Sequence, residues 1–136
     1  MAVKTENQIE RDFYSFVKGS NLGKALLGGV YRPGMRPDDA KTEDLVIKFL
    51  AGIDEQVQSG VVIFNLYVPD IPYSDGRMVK DMNRIGELQE LILDFVNNAG
   101  DGEYWLMTDV TPTTMRNEEI EQHFIYARIK FNRITV

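Results

Sequence analysis

The sequence predicts an α+β fold: an antiparallel sheet of two hairpins plus a short edge strand, with an N-terminal helix and one long helix packed on one face. Three observations lead there. Two apolar runs, residues 45–53 and 61–68, flank a polar corner and read as a long hairpin. Between residues 79 and 96 apolar side chains recur at helical spacing. Near the C-terminus Ile125, Ala127, Ile129 and Phe131 alternate with Tyr126, Arg128 and Lys130, the period of a strand. Strands and helices fall into separate blocks, which is the α+β pattern and not the βαβ alternation of a parallel sheet.

The first helix is marked by Ile9, Phe13, Phe16 and Val17, one stripe of a helical face, with Thr5 or Asn7 as cap and Glu6 and Glu10 near the positive end of its dipole. Gly19 and Gly23 interrupt it. Leu22, Ala25, Leu26 and Leu27 allow one further turn before Gly28 and Gly29 stop it. Pro33 and Pro37 exclude helix from residues 30–37 and leave a short edge strand or an extended loop. Residues 38–42 form a polar connection. The hairpin follows, its corner placed at residues 54–60. Residues 69–76 read as a loop from their Pro and Gly content. The long helix then carries Met82, Ile85, Leu88, Ile92 and Phe95 on one face, widened by Val79, Leu91 and Val96. At about 20 residues it would span roughly 30 Å. Residues 97–102 stop it. A third strand is expected over residues 103–110, a polar connection over 111–119, and a last strand from about residue 121 to the end.

Composition bounds the function. The 136 residues, 43% hydrophobic and 26% charged, fit one domain spanning 1–136 with a core of its own. There is no cysteine, so disulfides, thiolate nucleophiles and zinc–thiolate sites are excluded. A net charge of −6 disfavours non-specific binding to nucleic acid or an anionic membrane. No apolar run approaches the roughly 20 residues of a membrane span, and the first residues lack the apolar stretch of a signal peptide. The expectation is a soluble, intracellular domain.

Catalytic equipment is thin. His123 is the single histidine and lies in the last strand, where a structural or surface role is the plainer reading. Glu118, Glu119 and Glu121 form the densest acidic cluster but lack the spaced ligands and central glycine of a calcium loop, so they read as a solvated turn. The segment Gly19 to Lys24 fails as a phosphate loop, having three residues between its glycines and Ala25 after the lysine. Asp70 and Asp75 flank Tyr73; turn formation and helix capping by Asp75 or Ser74 explain them. No metal, cofactor or catalytic residue is expected.

Two features point to interaction instead. Tyr31, Arg32, Met35 and Arg36 share a proline-stiffened loop, and these residue types are enriched at interfaces. The hairpin carries Phe49, Leu50, Ile63, Phe64 and Tyr67, more apolar surface than one helix layer covers.

The element order, together with residues 45–71 and the phrase Gly60-Val61-Val62-Ile63-Phe64-Asn65-Leu66-Tyr67-Val68, resembles the tail terminator (tail completion) proteins of long-tailed phages and prophages. The resemblance implies a homo-oligomeric ring, hexameric in that family, that caps the tail tube and joins it to the head, without catalysis or cofactor. It implies tail tube and head-completion proteins as partners, and a place in the cytoplasm during assembly and in the virion tail afterwards. On this reading Tyr31, Arg32, Met35, Arg36, Phe64, Tyr67, Tyr73 and Arg77 are the candidate contact residues. Two other readings stand beside it. A small-molecule or peptide binding module would use Tyr67, Tyr73, Trp105 and Tyr126 in a groove between helix and sheet. A hydrolase would need two carboxylates about 5–10 Å apart in a cleft.

Overall fold

The computed structural model describes residues 3–117 and 122–135. Helix α1 spans Glu6–Gly19 and starts in a capping box: the Thr5 hydroxyl accepts from the Gln8 amide while the Gln8 side chain accepts from the Thr5 amide. Ile9, Phe13 and Val17 are its fully buried stripe. Ser20 ends it and caps a second helix, α2, Asn21–Ala25. The extra turn therefore begins at Asn21 and buries Leu22, whereas Leu27 stands in solvent. Gly23 is required here, because a Cβ would collide with the Val17 carbonyl.

Strand β1 is only Val30–Tyr31 and pairs in parallel with β2, Asp44–Ile53. β2 turns into β3, Val57–Pro69, through a three-residue corner, since Ser59 and Gly60 still pair with Ile53 and Gly52. Gln58 and Ser59, expected in a longer corner, are thus ladder residues, while Asp54, Glu55 and Gln56 make the corner. A bulge at Leu50 shifts the register between Phe49 and Ala51. Residues 71–79 form a small second hairpin, β4 Ile71–Pro72 with β5 Met78–Val79, where a plain loop was expected. Helix α3, Met82–Asn98, is capped by the Asp81 carboxylate, not by Ser74 or Asp75, and Val79 lies outside it.

β6 runs the whole way from Tyr104 to Asn117 (Tyr104–Asn117), through what the sequence marks as a polar connection. Pro112 is tolerated because β6 is an edge strand and the proline sits where the register breaks between Val110 and Thr113. β7, Gln122–Ile134, lies between β3 and β6 in the sheet, whose order is β1-β2-β3-β7-β6.

One core joins the helices to one face of this sheet. It comprises Ile9, Phe13 and Val17 of α1, Ile85, Leu88, Ile92 and Phe95 of α3, and alternate strand residues such as Ile47, Phe64 and Ala127. Phe13 meets Phe64, Tyr104 and Phe131 at centroid distances of 6.5, 5.5 and 5.9 Å. Charged staples close the rim. Arg84 of α3 grips the buried Glu43 with two bonds, of 2.7 and 2.8 Å, and donates to the Ala25 carbonyl at the end of α2. Glu10 of α1 accepts the Phe49 amide at 3.0 Å and so satisfies the β2 edge that two-residue β1 leaves uncovered.

Candidate assembly surface

Strand geometry sends every second side chain to the face opposite the core, and the registers place these residues in rows. One row crosses the sheet as Asp44, Tyr67, Phe124 and Met115. The next is Val46, Asn65, Tyr126 and Thr113, followed by Lys48, Ile63, Arg128 and Val110. Then come Ala51, Val61, Lys130 and Met107, and last Ile53, Ser59, Asn132 and Trp105. Among the described residues none of these belongs to the core cluster. An antiparallel sheet with one wet face ordinarily puts polar residues there. This one puts valine, isoleucine, methionine and aromatic rings there.

Burial grades from centre to rim. Ile63 is only 8% exposed although it points away from the core; Lys48 and Arg128 flank it in its row. Towards the rim Trp105, Met107 and Ile53 are more than half exposed, at 55%, 54% and 60%. The carboxamide oxygen of Asn65, in the same face, is buried with no hydrogen-bond partner. The charges of the face are mostly basic: Lys48, Lys130 and Arg128, the last 3.1 Å from Asp109.

The eight contact residues expected from the sequence divide. Phe64 is corrected: it is fully buried under the helices, 5.3 Å from the Phe95 ring, and presents nothing to a partner. Arg36 works within the chain. It lies 4.0 Å over the Tyr67 ring, pairs with Asp44 at 2.9 Å, and donates to the Ala40 and Thr42 carbonyls and to Gln122. Burial alone would raise the Asp44 pKa, but the Gly29 amide, the Thr42 hydroxyl and the Arg36 guanidinium together hold it below the usual carboxylate range. Tyr67 is half-buried beneath this staple and packs on Phe124 at 5.5 Å. Arg32 is likewise spent on α1, donating to Glu10 at 3.1 Å and to Asn7. Tyr31 and Met35 line a cleft of about 330 Å³ with Tyr14, and Met35 is exposed. Tyr73 and Arg77 project from the β4–β5 hairpin, where Arg77 pairs with Asp75 at 2.6 Å.

The groove of aromatics between helix and sheet is not formed. Tyr67, Trp105 and Tyr126 lie on the helix-free face, and Tyr73 lies in the small hairpin. The larger clefts have other linings. One of about 400 Å³ sits among Ser15, Asn21, Asp94 and Asn98 where α1 and α3 end. Another, of about 390 Å³, lies among Leu27, Lys41, Val68 and Ile71. His123 bonds the buried Asp70 at 2.7 Å and thereby fastens the start of the small hairpin to β7. Ser20, the hydroxyl of the loop resembling a phosphate motif, caps the five-residue α2. Among the described residues no three His, Asp or Glu side chains converge as metal ligands; the Glu118, Glu119 and Glu121 cluster lies outside those residues. Among the described residues no helix is long and apolar enough to cross a membrane.

The residues that sequence reasoning missed are Val61, Met107, Val110 and Met115 of the helix-free face. Their signal was present for β7, where Tyr126, Arg128 and Lys130 were separated from the core positions. It was hidden in β6, because the bulges at Asp109 and Pro112 break the alternation. No protein-family model matches this chain, and no characterised protein sequence matches it.

Proposed function

We propose that this chain is a structural assembly subunit of the tail-terminator kind. It would form a homo-oligomeric ring that caps the tail tube of a long-tailed phage or prophage and joins it to the head, with no catalytic step and no cofactor. The observation that carries this reading is the helix-free face of the sheet, where twelve of the twenty row positions are apolar or aromatic and the centre is basic. Exposed apolar side chains gathered on one face, here Ile53, Trp105, Met107, Val110 and Met115, mark a site of association. Four long strands at about 4.8 Å spacing and about 3.4 Å rise per residue outline roughly 800 Å². A stable interface covers about the same area on each partner.

On this reading the exposed Met35, Tyr73 and Arg77, at the rim, are the contacts to the tube or to the head-completion protein, while the face itself meets another subunit. The experiment is native mass spectrometry together with negative-stain microscopy of the purified chain across a concentration series. The expected result is a discrete oligomer with an annular image. A chain that stays monomeric at the highest concentration and never forms a ring on purified tail tubes overturns the reading.

A further inference from the structure

A sheet face that binds a second copy must meet some surface of that copy, and charge distinguishes the two ways of doing so. Lys48, Arg128 and Lys130 make the centre of the face basic; Asp109 pairs with Arg128, and Asp44, in the first row, is taken up by Arg36. Among the described residues Lys48 and Lys130 have no ion-pair partner. Face-to-face pairing about a two-fold axis would set this basic centre against itself, and like charges at an interface are strongly unfavourable.

The opposite side of the molecule carries the complement. Glu87, Glu90 and Asp94 share the outer stripe of α3, spaced by three and four residues. After Arg84 the helix has no basic residue. Glu87 pairs with Arg84, while Glu90 is exposed and has no ion-pair partner among the described residues; the 44%-exposed Leu93 sits beside it as an apolar contact. The stripe is therefore acidic and apolar where the sheet face is basic and apolar.

We infer that the subunits join head to tail, the outer stripe of α3 on one copy seated across the helix-free sheet face of the next. This rests on the assembly reading above and gives it a polarity. Such a heterologous contact uses two different patches per subunit and produces a ring when the rotation between neighbours closes.

Two surface variants test it. One reverses the sheet face, Lys48→Glu with Lys130→Glu. The other reverses the helix stripe at Glu90→Lys; Glu87 is left in place because it pairs with Arg84 at 3.0 Å. All three residues are exposed, so both proteins should melt like the parent. Association is followed by sedimentation velocity for each protein alone and for an equimolar mixture. Each variant alone should associate at least about tenfold more weakly than the parent, because acid then faces acid, or base faces base. The mixture should recover assembly, since every contact can again be made between opposite charges. A parent oligomer that neither variant weakens, or variants that fail to recover on mixing, overturns the head-to-tail contact while leaving the ring reading in place. A parent that never associates, in solution or on purified tail tubes, removes both.

Discussion

Ile63 and Phe64 are neighbours in the chain and point to opposite sides of the sheet, so the same apolar chemistry serves two purposes there. Phe64→Ala should cost about 3–5 kcal/mol of stability, the price of a buried aromatic lost to a cavity. Urea unfolding of the monomer would measure it, and a cost below 1 kcal/mol would contradict its place in the core. Asp44 carries a pH prediction. Its folded pKa is lowered, so the stability it contributes is complete above the ordinary carboxylate pKa of about 4 and is lost as pH falls through the lower folded value. Asp44→Asn should therefore flatten the acid limb of a stability–pH curve. Asp44→Ala should cost about 3 kcal/mol at neutral pH by stranding Arg36. Unfolding titrations from neutral to acid pH read both. The sequence identified Tyr67, Arg36 and Phe64 as notable but could not orient them. The run Val61-Val62-Ile63-Phe64 has no polar alternation, so its parity is settled only by pairing with β7, where Ala127 faces Phe64.

The helices were legible because their apolar stripes are long and their caps are chemical. Thr5→Ala should remove about 1 kcal/mol through the capping box of α1, measurable as a lower melting temperature with an unchanged fold. The strands were less legible where backbone irregularity replaces pattern. Three expected boundaries moved: the corner of the first hairpin shrank, the β4–β5 hairpin replaced a loop, and β6 ran on through Pro112. Each change depends on a partner strand that the local sequence does not reveal. The distal half of the β2–β3 hairpin also depends on close approach. A Cβ at Gly60 would lie 2.5 Å from the Ala51 carbonyl oxygen and 2.8 Å from the Phe131 ring. Gly60→Ala should therefore destabilise by about 1–3 kcal/mol through overpacking. An unchanged melting temperature would show that the strands can part there without cost.

Across the molecule, the hairpin of residues 45–68 raised the question of what covers its second face, and the five-stranded sheet extends that question over β7 and β6. The helices supply one layer; the apolar rows on the other side are the surface through which this account assigns a second subunit. The most direct measurement is sedimentation velocity from micromolar to millimolar concentration, comparing the parent with Met107→Asp combined with Val110→Asp. Both positions are exposed in the monomer, so stability should be unchanged. The account predicts concentration-dependent growth beyond the monomer for the parent and a monomer throughout for the variant. A parent that remains monomeric in solution and forms no ring on purified tail tubes, or a variant that associates as the parent does, would contradict it.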